Sequence, residues 1–198
     1  MDILIGTNNE GKLRQFKRIF EKSSKEIRVF SLSDLNIQDD VEEDADNLLD
    51  NARKKAKYYA EKSGKITLAD DTGLFVDALN GEPGIHSKRW CEGSDKERNE
   101  KLLARLKNVP EKERTCRYVG VVATYNPQNG KSWETEEKME GTISDDFRGE
   151  NGFGYDQIFE VKGCLGKHLA ELSGEEKDQI SHRGKGVRKF VKNLDNII

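Results

Sequence analysis

Residues 1–20 read MDILIGTNNEGKLRQFKRIF, and this stretch decides the fold class. DILIGT, residues 2–7, is a short apolar run suited to a buried strand. GTNNEGK, residues 6–12, is polar and has glycine near both ends, and after it Leu13, Phe16, Ile19 and Phe20 recur at helical spacing. A strand running through a glycine-bounded loop into a helix opens an α/β architecture. It also leaves backbone N–H groups at a helix N-terminus, where an anion is favoured. Gly6, Gly11 and Lys12 have the spacing of the phosphate-cradling loop G-x-x-x-x-G-K-[ST], but Leu13 stands where the metal-holding hydroxyl belongs. Two readings follow: an ordinary strand–helix turn with an exposed lysine, or a phosphate loop whose metal is held elsewhere.

Outward from this unit the alternation continues. IRVFSL (27–32) reads as a second strand, Asp46 to Lys62 as a helix, and KITLAD (65–70) as a strand ending at Asp70. GLFVDAL (73–79) fits strand or helix. Ser94 with Glu97 forms a capping box for a helix through Val109. RTCRYVGVVATY (114–125), the turn residues NPQNGK (126–131) and SWETEEKMEGTIS (132–144) predict a long antiparallel hairpin. GYDQIFEV (154–161) reads as a further strand, and Ser173 with Glu176 caps a last helical region carrying Ile180, Val187, Phe190, Val191 and Leu194. No repeat or low-complexity linker breaks the chain. The expected fold is α/β, a mixed sheet with an antiparallel extension and flanking helices.

The chain has 198 residues, enough to bury a real core, and its 36% charged residues demand a densely charged surface. A net charge of −3 argues against a nucleic-acid binder held by backbone phosphates, while leaving room for a small anionic ligand bound by a few lysines. The N-terminus turns polar too quickly for a signal peptide and no 18-residue apolar run occurs, so a cytoplasmic protein with no membrane partner is expected. Cys91, Cys116 and Cys164 show no C-x-x-C spacing and read as packing residues, and three separated histidines make a zinc site unlikely on spacing.

ADDTGL (69–74) carries the second chemical signal. Paired aspartates at a buried strand end are costly unless paired or holding metal, and carboxylates suit Mg²⁺, which takes one or two of them plus substrate phosphates. The alternative is that Asp70 or Asp71 merely caps the next segment. VEED (41–44) offers further acids. In the third signal, GFGYDQ (152–157), Phe153 and Tyr155 lie beside glycines and Asp156, a stacking surface and polar reader for a flat base, or simply core aromatics. In EEKDQISHRGKG (175–186), Lys177, Ser181, His182 and Arg183 come together near Gly184, and a bend or helix start would let the adjacent His182 and Arg183 converge.

GTNNEGK, ADDTGLFVDALNGEPGIHSKRW, FGYD and EEKDQISHRG resemble the motifs of the inosine triphosphate pyrophosphatase family, in the family's order and across essentially the whole chain. The resemblance implies an elongated mixed β-sheet flanked by helices, one domain over 1–198 with two lobes and a central substrate cleft, and a homodimer. It implies Mg²⁺-dependent hydrolysis of ITP, dITP and XTP to the monophosphate and pyrophosphate. Thr7, Asn8, Asn9, Glu10, Gly11 and Lys12 match the triphosphate loop, and Lys55 a second phosphate-contacting lysine. Asp71 matches the proton acceptor at the metal, Glu42 the other metal-associated acid (with Glu43 beside it), and Thr72 a substrate contact. Phe153, Gly154, Tyr155 and Asp156 match the nucleoside segment, and Lys177, His182 and Arg183 the residues that read the purine.

Ala45, Asp50 and Gln157 depart from the family's usual glycine, glutamate and proline; the first two bear on the loop carrying the acids. On this reading Asp71 is a general base, and Lys12, Lys55 and the loop amides stabilise the leaving pyrophosphate. Arg183, with donors only, suits a 6-oxo purine and leaves donors unpaired against adenine, which favours ITP, dITP and XTP over ATP; a preference over GTP is also expected, but guanine shares the 6-oxo group and Arg183 does not distinguish it. A pyrophosphatase for modified pyrimidine nucleotides and a catalytically silent nucleotide-binding module are the alternatives.

Overall fold

The computed structural model describes residues 1–198. The chain divides into two compact units, one of residues 1–71, 120–137 and 182–198, the other of 72–119 and 138–181. A seven-stranded mixed sheet has the order β2-β1-β3-β5-β6-β7, with the short β4 paired to β3.

In the first unit, β1 (Asp2–Ile5) lies parallel to both β2 (Arg28–Ser31) and β3 (Ile66–Val76), in register Ile3 with Val29 and Ile66. A strand with parallel neighbours on both sides is covered on both faces, and β1 shows it by alternation. Ile3 and Ile5 join Phe16, Ile19 and Phe20 of α1 (Glu10–Glu21) and Val187 and Phe190 of α5 (His182–Asn193) in one cluster. Leu4 points the other way, onto Tyr59 of α2 (Leu48–Ser63), with Leu32, Ile37 and Val41. The parts of β5 (Thr115–Tyr125) and β6 (Ser132–Ile143) in this unit are joined by the loop 126–131, where Asn126 N donates to Lys131 O at 2.9 Å. A link of that length can only reverse the chain, so this is the expected antiparallel hairpin.

The second unit holds the end of β3, β4 (Pro83–Gly84), α3 (Asp95–Leu106), β7 (Phe159–Val161) and α4 (Gly174–Ile180). Its core is Leu74, Val76, Leu102, Leu106, Tyr118, Met139, Ile143, Ile158 and Phe159. β6 and β7 pair antiparallel, Gly141 opposite Val161. Cys116 is buried here, and burial pushes its thiol well up, in keeping with a packing residue. All three cysteines are free.

Four expectations about elements need correction. β3 does not end at Asp70 but runs on to Val76, because both aspartates find cationic partners and the strand need not stop to solvate them. GYDQIFEV is a strand only from Phe159; Gly154, with φ +66°, starts a turn in which Ile158 N donates to Tyr155 O at 3.1 Å. The capping box at Ser94 is present, but α3 stops at Leu106. The last helical region is two helices, broken at Ser181, whose ψ of 152° is extended, so that His182 is the first residue of α5.

Candidate active site

The first unit carries a charged cluster under the loop 6–12. Asn9 caps α1, its Oδ1 accepting from Lys12 N at 3.0 Å, while Thr7 Oγ1 accepts from Asn9 N at 3.2 Å. The side chains that shape the loop are therefore Thr7 and Asn9, and the first-turn N–H groups of Glu10 and Gly11 have no intrahelical acceptor. Asn8 reaches out to Asp40 at 3.3 Å.

Lys12 Nζ lies 3.1 Å from Asp70 Oδ2. The same carboxylate oxygen accepts from Arg183 Nε at 3.1 Å and Nη2 at 2.9 Å, while Arg183 Nη1 donates to Gln15 Oε1 at 2.7 Å. Asp71, next along β3, faces a different cation. Lys55 Nζ sits 3.4 Å from Asp71 Oδ1, 2.5 Å from Glu43 Oε1 and 2.7 Å from Asp70 O. Adjacent residues of a strand point to opposite faces, which is how one Asp-Asp pair serves two lysines.

Electrostatics follow from burial and these partners. Burial works to raise Asp70, but Arg183, Lys12 and Lys55 outweigh it and hold the carboxyl far below the usual range. Asp71 is raised by burial, with Lys55 and Lys12 opposing and Glu43 and Asp70 adding to the rise. A raised carboxyl is the right direction for a proton acceptor working near neutrality. Burial also lowers Lys12; for Lys55 burial is outweighed by Asp71, Glu43 and Asp70, and its pKa is raised. His182, at the start of α5, is held well below its ordinary value by burial and by the Arg183 charge. Its ring fits because residue 120 on β5 is glycine: a Cβ there would lie 2.3 Å from His182 Cδ2.

The second unit holds residues 153–156, which the resemblance assigns to the nucleoside. Tyr155 is a core residue whose hydroxyl donates to Ser87 O at 2.9 Å, so of the two aromatics only Phe153, at 36% exposure, offers a face for stacking. Asp156 and Lys177 form a buried pair, Nζ to Oδ2 2.9 Å, with Lys177 also donating to Asn151 O at 3.0 Å. Asp156 Oδ2 accepts from Phe153 N at 3.3 Å, and its Oδ1 from the Tyr118 hydroxyl at 3.4 Å. Thr72, half-buried, is the first residue of this unit.

Of the two neighbouring glutamates, Glu42 is exposed, while Glu43 is half-buried and pairs with Lys55, the lysine that also reaches Asp71. The three guanidinium nitrogens of Arg183 are engaged by Asp70 and Gln15 within the first unit, while Lys177 belongs to the second. Asp70 without that guanidinium would be a poorly compensated buried charge, which is why the pairing wins. Gln15, one helical turn after Lys12, carried no signal in the sequence beyond that spacing.

No group of three or more His, Cys, Asp and Glu converges on a metal position. Asp71 and Glu43 are two carboxylates on one lysine, which fits Mg²⁺ that takes one or two carboxylates and completes its shell from phosphates and water. Charge points the same way. Three cations, Lys12, Lys55 and Arg183, are balanced by three carboxylates, Asp70 shared by Lys12 and Arg183 and Asp71 and Glu43 both on Lys55, so a triphosphate would bring its negative charge to a cluster already neutral.

A family model described as the Ham1 family matches residues 3–193. A dITP/XTP pyrophosphatase of Thermoanaerobacter sp. (strain X514) is 42% identical over 192 residues, 96% of this chain and 94% of the relative. One of Corynebacterium glutamicum (strain R) is 37% identical over 203 residues, 100% of this chain and 98% of its own length. Among solved structures, the Staphylococcus aureus Ham1 protein superposes with a TM-score of 0.84 at 39% identity, covering 99% of both chains. The nucleoside-triphosphatase, dITP/XTP pyrophosphatase of Mycobacterium abscessus gives 0.73 at 36% identity, over 96% of this chain and 98% of that one.

Proposed function

The chain belongs to the Ham1 family, and on that premise we propose that it hydrolyses dITP, ITP and XTP to the monophosphate and pyrophosphate. The observation that carries this reading is the buried cluster of Lys12, Lys55 and Arg183 with Asp70 and Asp71 at the start of α1. Asp71 is the proton acceptor. Water attacks the α-phosphorus, the bond to the α,β-bridging oxygen breaks, and the water's proton passes to Asp71. Lys12, Lys55 and the amides of Glu10 and Gly11 stabilise the charge gathering on the leaving pyrophosphate. Asp71 and Glu43 are the residues that would hold Mg²⁺, whose Lewis-acid chemistry neutralises phosphate charge. Asp70 and Arg183 keep Lys12 in place rather than touching the base. Base recognition falls to Phe153 as a stacking face and to Lys177, a donor-only group that suits a 6-oxo purine and not the 6-amino group of adenine; His182 supports Arg183.

The two units serve as lobes of one domain, 1–198, since β3, β5 and β6 are each divided between them. No helix is long and apolar enough to cross a membrane. A cytoplasmic homodimer is proposed, to be checked by light scattering. The activity itself is tested by pyrophosphate release from ITP, XTP, dITP, GTP, ATP and dUTP, with and without chelation of Mg²⁺. Release from the first three, abolished by chelation and reduced about 10²–10⁴-fold in Asp71→Asn, is the expected result. Bound but intact ITP would replace the hydrolase with a binding module, and preferential cleavage of dUTP with a pyrimidine enzyme.

A further inference from the structure

The turn that presents Phe153 is not held by the base-reading residues alone. Gly154, at its centre, has its N–H donating to Asp95 Oδ2 at 2.6 Å and its carbonyl accepting from Asn99 Nδ2 at 3.2 Å. Asp95 and Asn99 are four residues apart on α3 and so share one face of that helix. They grip both polar atoms of a residue whose φ of +66° is stable for glycine and for little else. Arg98 in turn anchors the clamp, donating to the Asp95 carboxylate and, at 2.7 Å, to Gly93 O.

Asn99 is unusual in a second respect. It is fully buried, and its Oδ1 has no hydrogen-bond partner. A buried amide oxygen left in that state is unfavourable, and such a group in a folded protein calls for an explanation. Its neighbours Leu102 and Leu106 on α3 show what packing alone would select at such a depth. The amide is explained by its other end, which holds the Gly154 carbonyl.

We propose that Asp95 and Asn99 are positioning residues for purine binding: by fixing the Gly154 peptide groups they set the plane of the Phe153 ring on which the base stacks. This rests on the assignment of Phe153 to the base made above. Base–aromatic stacking is sensitive to ring orientation and weakens when the platform can tilt.

Calorimetry of inosine monophosphate and of pyrophosphate, each against the wild type, Asp95→Ala, Asp95→Asn and Asn99→Leu, separates the possibilities. Pyrophosphate has no base and reports only the lysine cluster. Inosine monophosphate should bind about tenfold more weakly to Asp95→Ala and Asn99→Leu, the effect of one lost hydrogen bond to a positioned group. Asp95→Asn, which keeps an acceptor for Gly154 N–H, should recover most of the wild-type affinity, and pyrophosphate should be unaffected throughout. Unchanged inosine monophosphate binding, equal weakening of both ligands, or no rescue by Asn each overturns the proposal. Wild-type protein that binds inosine monophosphate but leaves ITP intact would refute the hydrolase and not the clamp; wild-type protein that fails to bind it would refute the clamp.

Discussion

His182 makes stability depend on pH in a way that can be calculated. In the folded protein its ring is 6% exposed, with Arg183, Lys12 and Lys185 disfavouring a further positive charge. Asp70 pulls the other way, but burial and the three cations prevail, and the folded-state pKa lies well below the ordinary 6.5. On β5, the facing position is Gly120, which brings no charge. The unfolded chain takes up a proton at His182 near pH 6.5 and the folded chain does not, so the unfolded state binds more protons as the pH falls. This contribution to stability is present above pH 6.5 and lost below it, by up to about 1.4 kcal/mol per pH unit. Between pH 7.5 and 5.0 the loss integrates to about 2 kcal/mol, or roughly 4–8 °C of melting temperature for a chain of this size. Urea unfolding of the wild type and His182→Gln, at half-unit steps across that range, measures it. All groups other than residue 182 are common to the two proteins and cancel in the comparison. The glutamine variant should have a different stability at pH 7.5 and a slope shallower by about 2 kcal/mol over the range. Parallel profiles would show that His182 takes its proton in the folded state, and the burial argument would fail.

Gly120→Ala places a Cβ 2.3 Å from the His182 ring and 3.2 Å from its Nε2, and α5 must shift to relieve it. The expected loss is about 1–3 kcal/mol in chemical unfolding, with pyrophosphate affinity falling because Arg183 moves with its neighbour. Arg183→Met leaves Asp70 with Lys12 as its remaining close cation and should destabilise by about 3–5 kcal/mol, whereas Asp70→Leu combined with Arg183→Met should recover much of that stability but not activity. A double variant no more stable than Arg183→Met would show that lost packing, not an unpaired charge, sets the penalty.

Much of the chain was legible because local and global preferences agree. β1, α1, β2, α2 and the β5–β6 hairpin each follow from an apolar period matched to one buried face, and the capping boxes at Ser94 and Ser173 mark where α3 and α4 begin. Where reading failed, a tertiary partner had overruled a local rule. Paired aspartates look like the end of a strand, yet β3 continues through them because Lys12, Lys55 and Arg183 arrive from elements 15 to 113 residues away. The glycine in FGYD looks compatible with a strand until α3 captures the Gly154 peptide groups.

The candidate site divides along the same line. Which residue types are candidates for the chemistry is legible in the sequence: a glycine-bounded loop with Lys12, an Asp-Asp pair at 70–71, an aromatic before Gly154, and Lys177. These are short-range patterns, and their spacing alone constrains what they can bind. Partnership was not so written. That Glu43 meets Lys55, and that Arg183 pairs with Asp70, depends on the direction each side chain leaves its backbone and on the heavy desolvation penalty of a lone buried charge. Periodicity is a property of neighbours along the chain, while charge compensation is settled only once distant segments have packed.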